Sequence, residues 1–366
     1  MEMKTEKTLP RRTSETIILL MLALSACAPL TTDSPPTFEN PPTTSPTPAP
    51  RGIEEFFTEP GSPQAADYEG GPGKILAEAI DQARLSVDMA AYSLNLWSIR
   101  DALIHAAQRG VAVRMVMESD NMDSPEVQQI QDAGIPITGD QHEGLMHNKF
   151  VVIDRSEVWT GSMNFTTSGA YRDNNNMVHL RSTQVAEVFT TAFSEMFREH
   201  LFGPGGRSKT IHDSFKIDGT QIETYFSPED GVAAAVLNLI QGAQESINFM
   251  AFSFTANDLG DAIIQRAAEG VTVQGVMDDG QINSNQGTNF DSFLQAGLDV
   301  RRDGNPGQMH HKVIIIDKSI VITGSYNFST SAEDQNDENL VVIHDADIAA
   351  DFLAEFTRVY GQAQHP

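Results

Sequence analysis

Two stretches of this chain, 163 positions apart, spell nearly the same sequence, and that repeat limits the fold more than any other feature. His147-Asn148-Lys149-Phe150-Val151-Val152-Ile153-Asp154 answers His310-His311-Lys312-Val313-Ile314-Ile315-Ile316-Asp317. Gly161-Ser162-Met163-Asn164-Phe165-Thr166 answers Gly324-Ser325-Tyr326-Asn327-Phe328-Ser329 at the same spacing, since 310 less 147 and 327 less 164 both give 163. Earlier segments match too: Phe56-Phe57-Thr58 with Tyr225-Phe226-Ser227, Ile75–Ile80 with Val236–Ile240, and Leu85–Tyr92 with Ser246–Phe252. A chain with such a repeat folds as two similar units.

Each copy alternates period-two apolar runs with amphipathic segments that close on glycine, at Gly110 and Gly134 in the first and Gly270 and Gly297 in the second. Alternating strands and helices predict an α/β sheet in each half with helices on its faces. The expected class is therefore α/β: two similar lobes, each a central mixed sheet flanked by helices, related by a pseudo-twofold axis. The first lobe is read over residues 53–202 and the second over 221–366. The glycine-rich, polar stretch 203–220 is read as the connector.

The first 52 residues do not belong to this pattern. Lys4, Lys7, Arg11 and Arg12 precede an apolar run from Ile17 to Leu24, then Leu24-Ser25-Ala26-Cys27. A basic segment, a short apolar core and small residues before a cut read as a secretory signal over 1–27. The chain's one cysteine forms no intrachain disulfide, and its setting resembles the lipobox of bacterial lipoproteins, in which that cysteine carries the lipid. The expected location is the extracytoplasmic face of a bacterial envelope, anchored through Cys27. Ala28 permits outer-membrane sorting where a second membrane exists. Residues 28–52 are rich in proline and threonine and read as an extended, disordered linker.

Apolar residues at 40% and charged residues at 20% are enough for a packed core. The formal net charge of −26 counts against non-specific binding of polyanions. Losing the signal removes one more positive than negative charge, so the acidity lies in the body.

Residues two apart on a strand share a face, which pairs His147 with Lys149 and His310 with Lys312. If the two faces meet in one cleft, it holds two imidazoles, two ammonium groups, two hydroxyls and two amides. One histidine can then attack phosphorus while the other protonates the leaving oxygen, with Lys, Ser and Asn holding the equatorial oxygens. No metal or other cofactor is called for, and no cluster has metal-ligand spacing.

The paired His-x-Lys-x4-Asp and Gly-Ser-x-Asn elements resemble the phospholipase D superfamily, over nearly the whole body from Ile53 onward. That resemblance implies a phosphohistidine intermediate, catalytic roles for His147, Lys149, His310 and Lys312, and phosphate contacts from Ser162, Asn164, Ser325 and Asn327. It implies structural roles for Asp154 and Asp317. Members often carry an acidic residue further on that orients a histidine of the opposite half. The second copy supplies Glu338, but the equivalent position in the first is Asn175. With cross-lobe pairing, Glu338 backs His147 as the nucleophile and Asn175 backs His310 as the general acid.

A phospholipid substrate fits a lipid-anchored body, releasing a headgroup and leaving phosphatidic acid. A metal-independent endonuclease acting on nucleic acid is the first alternative, a phosphatidyltransferase of the cardiolipin-synthase type the second, and a non-catalytic binding lipoprotein the last. Two lobes complete one site, so a monomer is expected. Tyr92, Trp97, Phe252 and Phe254 follow strands and read as core packing rather than as the lining of a substrate groove. His142, His179, His212 and His344 read as surface or loop residues. His311 is placed on the opposite face from the chemistry. Arg172 is either a phosphate contact or a solvated loop residue.

Overall fold

The computed structural model describes residues 51–206 and 214–364. The first lobe comprises β1 (Ile53–Phe57), α1 (Pro63–Ala66), α2 (Gly71–Gln82), β2 (Ser86–Ala91), α3 (Trp97–Gln108), β3 (Ala112–Met117), α4 (Pro125–Asp132), β4 (Ile137–Gly139), β5 (Lys149–Ile153), β6 (Glu157–Gly161), α5 (Thr167–Tyr171), β7 (Asn176–Arg181) and α6 (Thr183–Glu199). The second comprises β8 (Phe215–Ile217), β9 (Thr220–Ser227), α7 (Val232–Gly242), β10 (Ser246–Ala251), α8 (Asn257–Ala268), β11 (Thr272–Met277), α9 (Asp279–Ser284), α10 (Phe290–Gln295), β12 (Asp299–Arg302), β13 (Lys312–Ile316), β14 (Ile320–Gly324), α11 (Thr330–Asp334), β15 (Glu338–His344) and α12 (Ala346–Gln362).

The first sheet runs β1-β7-β6-β5-β2-β3-β4, and the second β12-β11-β10-β13-β14-β15-β9-β8. Read from opposite ends, they are the same mixed sheet with one added hairpin strand. In each, the motif strand is antiparallel to its neighbours (β5 beside β2 and β6, β13 beside β10 and β14), while β2–β3 and β10–β11 are parallel. The motif strands are buried on both faces, as central strands covered by helices must be.

The helices form for local reasons. Ser182 caps α6 by accepting Val185 N–H, and Asp345 caps α12 by accepting from Asp347 and Ile348. Each then buries one stripe at helical spacing: Val185, Ala186, Phe189, Phe193 and Met196, with Ile348, Ala349, Phe352, Phe356 and Val359 in the same register. These stripes share one core with the inner faces of both sheets, so the central core crosses the lobe boundary. Phe226 of the second lobe meets Phe189 at 5.0 Å and Phe150 at 6.4 Å in the first. Separate outer cores pack α2 and α3 on one sheet, and α7 and α8 on the other.

The start of the first lobe and the start of the second need correction. Gly52, read as linker, is already packed: its N–H reaches Asp218 Oδ2 at 2.8 Å and its carbonyl accepts from Arg181. The connector also folds into sheet, because β8 and the first residue of β9 lie within 203–220 and pair as a hairpin. Local composition missed a hairpin turned at Asp218-Gly219, where both residues take left-handed φ. The signal segment with Cys27, linker residues 28–50 and His212 lie outside the described residues. No helix among the described residues is long and apolar enough to cross a membrane.

Asp154 and Asp317 close the motif strands at the end away from the histidines. Asp154 accepts the N–H groups of Arg84, Leu85 and Ser86, and Asp317 those of Gln244, Glu245 and Ser246, at 2.7–3.1 Å. Partial burial pushes the Asp317 carboxyl up, but the three amide bonds outweigh it and hold the group below its usual value. Asp317→Ala should therefore cost about 1–2 kcal/mol of stability in urea unfolding, with turnover retained in the folded fraction. Loss of turnover without loss of stability would assign Asp317 a chemical role instead.

Candidate active site

Strands β5 and β13 begin at Lys149 and Lys312, so the histidines sit just before them rather than within the strands. There the chain crosses to the opposite lobe. His147 N–H donates to Asp337 O at 3.0 Å, and Asp337 N–H returns to Leu145 O at 2.8 Å. Reciprocally, His310 N–H donates to Asn174 O at 2.9 Å, and Asn174 N–H to Gln308 O at 2.8 Å. Each exchange is one rung of a parallel ladder between lobes, and the reciprocity is that of a twofold axis. Two glycines permit the approach: a Cβ on Gly144 would sit 2.1 Å from Gln335 O, and one on Gly307 2.2 Å from Arg172 O. Glu118 and Asp278 fix the preceding residues by accepting Met146 and Met309 N–H at 2.9 and 3.0 Å.

The side chains cross as well. His147 Nδ1 lies 2.7 Å from Glu338 Oε2, and His310 Nδ1 lies 2.9 Å from Asn175 Oδ1. The Asn175 amide is oriented by its Nδ2 donating to Gly169 O, and its Oδ1 also accepts from Ser162 Oγ. His310 therefore carries its proton on Nδ1, leaving Nε2 as the group that titrates. Lys149 Nζ donates to His147 O at 2.7 Å, and Lys312 Nζ to His310 O at 2.9 Å. Tyr92 and Phe252 meet the two imidazoles edge-on at 4.8 and 4.6 Å and lie under the two ammonium groups. Both rings are half-buried at the site, which corrects their reading as core. Phe254 is core as expected, while Trp97 is 48% exposed.

Of the four predicted phosphate contacts, the two serines are bonded to the residues that flank the histidines. Ser325 accepts Asn339 N–H at 2.9 Å, and Ser162 accepts Asn176 N–H at 3.1 Å. Asn164 and Asn327 each keep a buried side-chain oxygen without a hydrogen-bond partner. Turned about χ2, each amide would put its NH₂ where that oxygen now stands. Among the described residues no group of three His, Cys, Asp or Glu is arranged to hold a metal ion.

Burial governs the electrostatics. It holds both imidazoles well below the usual histidine range, and the Lys149 and Lys312 ammonium groups push the same way. Burial brings Lys149 down to about 7 against the pull of Glu338, and it raises Glu338 to about 8 against Lys149, Ser325 and Lys312. Lys312 is also held well below the usual lysine range, by burial first and Lys149 second. The two imidazoles and the two ammonium groups are therefore short of the opposite charge that an anion would bring.

Several residues were invisible to motif reading. Thr160 Oγ1 bonds Asn339 Oδ1 at 2.6 Å, and Thr323 Oγ1 bonds Asn176 Oδ1 at 2.9 Å, each across the lobes. Their 163-residue spacing was a usable signal. His311 points away from the cleft but is fully buried, joining Asn176 at 3.0 Å to Glu355 at 3.0 Å. His179 is also buried, stacked on Trp159 at 3.9 Å, and His344 bonds Glu223 at the end of β15; neither is a loop residue. His142 does lie in a loop, bonded to Asp140. Arg172 donates to Tyr68 Oη at 2.8 Å, on the outside of the first lobe.

The sign of the pH dependence follows. A bound dianion favours the charged lysines. Below about pH 7 Lys149 is already protonated in the free site, while above it binding must take up a proton. Ionised Glu338 adds repulsion above about pH 8. Competitive inhibition by sulfate, whose charge is fixed, should thus weaken progressively as pH rises from 6 to 9. Constant inhibition over that range would mean the lysines stay charged throughout.

A family model described as "Cardiolipin synthase, PLD-like domain" matches residues 76–197 and again 236–360. A phospholipase D of Rickettsia prowazekii is 30% identical over 164 residues, 45% of this chain and 80% of that protein. A human mitochondrial cardiolipin hydrolase is 35% identical over 133 residues, 36% of this chain and 52% of that protein. The solved phosphatidylserine synthase of Haemophilus influenzae superimposes with a TM-score of 0.63 at 13% identity, covering 86% of this chain and 87% of its own, a likeness of fold alone. With both copies matched and both half-sites meeting in one cleft, the chain belongs to the phospholipase D superfamily of phosphodiesterases.

Proposed function

We propose that this protein hydrolyses phospholipid headgroups to leave phosphatidic acid, on the extracytoplasmic face of a bacterial envelope and held there by a lipid on Cys27. The observation that carries the chemistry is the carboxylate on one histidine and the amide on the other. In its ionised form Glu338 accepts the Nδ1–H of His147, which fixes that tautomer, and stabilises positive charge as the ring attacks, so His147 Nε2 is the nucleophile. It forms an N–P bond as the P–O bond to the headgroup breaks. His310, its Nε2 protonated beside the bound phosphodiester, gives that proton to the departing oxygen. His310 then takes a proton from water, whose oxygen attacks phosphorus, and the N–P electron pair returns to His147. Lys149, Lys312, Ser162, Ser325, Asn164 and Asn327 hold the equatorial oxygens.

The lipid substrate is supported by relatives named phospholipase D and by the formal charge of −26, which opposes a polyanion. The test compares headgroup release from mixed phospholipid vesicles with cleavage of single- and double-stranded DNA. It uses the body from Arg51 onward, in EDTA, with His147→Asn and His310→Asn as controls. Headgroup release lost about a thousandfold or more in both variants is expected. DNA cleavage with intact lipid would transfer the reading to an endonuclease.

A further inference from the structure

Where the lobes cross, each catalytic pair has a companion pair one residue further along both strands, turned to the interior. Behind His310 and Asn175 stand His311 and Asn176, and behind His147 and Glu338 stand Asn148 and Asn339. The two companions differ. Asn339 Nδ2 donates to Asn148 Oδ1 at 2.9 Å, and Asn148 Nδ2 has no hydrogen-bond partner among the described residues. His311 instead continues into α12, where a carboxylate and a guanidinium follow it.

This string has a direction. Arg358 donates to both oxygens of Glu355, from Nε at 2.7 Å and from Nη2 at 2.6 Å. Burial raises the Glu355 carboxyl, but His311 and Arg358 outweigh it and hold the group below its usual value. Ionised Glu355 accepts His311 Nε2–H at 3.0 Å, which leaves Nδ1 to accept from Asn176 Nδ2 at 3.0 Å. Asn176 Oδ1 then accepts from Thr323 Oγ1 at 2.9 Å. A second arm leaves the same guanidinium, whose Nη2 also donates to Thr58 O at 3.3 Å. Thr58 grips the Asn175 main chain, donating its N–H to Asn175 O at 3.0 Å and accepting Asn175 N–H on Oγ1 at 2.7 Å. Ser162 Oγ, which orients the Asn175 amide, itself accepts Asn176 N–H at 3.1 Å. At the corresponding positions of the first half stand Asn148, Ala192 and Glu195, so the string is built once, on the side of His310.

A carboxylate can accept an imidazole N–H through either oxygen. An amide accepts only through its one oxygen, and a half-turn about χ2 would offer NH₂ to the ring and reverse its tautomer. The histidine backed by an amide is therefore the one whose backing must be held in place. We infer that His311, Glu355 and Arg358 are positioning residues that hold Asn175 with its oxygen toward His310, a role that rests on the acid–base assignment proposed above. They keep the ring proton on Nδ1 and leave Nε2 to carry the proton given to the leaving oxygen. They act from behind the cleft, without touching the reacting atoms.

The test uses the full chain with ¹⁵N-labelled histidine, the His310 signals being assigned with His310→Asn. Native His310 should show a single tautomer with its proton on Nδ1. Two variants break the string: His311→Asn installs the side chain of the first half, and Arg358→Ala cuts the string at its 29%-exposed outer end. Each should give a mixture of tautomers at His310 and leave His147 as it was. Should His311→Asn fail to fold, Arg358→Ala alone decides. Single-turnover release is then followed from phosphatidylethanolamine and from phosphatidyl-p-nitrophenol. p-Nitrophenolate departs without a proton, whereas the headgroup alkoxide needs one. Both variants should therefore lose about tenfold or more on the first ester and about twofold or less on the second. A single Nδ1–H tautomer that survives in the folded variants, or an equal loss on both esters, would overturn the role. Native protein that releases neither alcohol would count against the lipid substrate instead, and the tautomer at His310 would still decide the positioning role.

Discussion

Everything chemical in this molecule depends on one reciprocal main-chain exchange. The segment before each motif strand pairs not with its own sheet but with the residue preceding the other lobe's histidine partner, His147 with Asp337 and His310 with Asn174. The next residue along, Glu338 or Asn175, is thereby aimed at the histidine opposite. A single rung fixes both the backbone of each histidine and the side chain that bonds it. The shared core of α6, α12 and both inner sheet faces keeps the rungs in register. Neither lobe contains a finished site.

Burial then turns geometry into reactivity. Two ammonium groups and two imidazoles packed out of water each pay a desolvation penalty of several kcal/mol when charged, so the free site sits close to neutral. An arriving phosphodiester is the missing counterion. Its negative charge favours the charged lysines and the protonated imidazoles. Rings at Tyr92 and Phe252 exclude water while giving the ammonium groups a weakly attractive surface.

Much of this was legible because duplication makes a sequence annotate itself. The α/β class of each half, the motif strands, both His–Lys pairs and the carboxylate-to-amide difference at 338 and 175 could all be read by laying one half on the other. Elements outside the repeat were not. The hairpin strand β8 has no counterpart, and His179 is buried only because Glu54, Glu157 and Trp159 surround it from strands distant in sequence. Trp97 was read as core by its proximity to a strand, but it opens α3 and is 48% exposed. His311 alternates away from the cleft, yet its buried bonds to Asn176 and Glu355 depend on the other lobe and on α12. Alternation tells which face a residue takes, not what covers that face.

The central claim is that the residue across the lobe boundary decides which histidine attacks. The most direct test exchanges the two, in an Asn175→Glu, Glu338→Asn variant, and maps the phosphorylated peptide trapped by rapid denaturation. The account predicts phosphate on the His147 peptide in the native protein and on the His310 peptide after the exchange. Phosphate that stays on the same histidine in both proteins would show that the choice is made elsewhere.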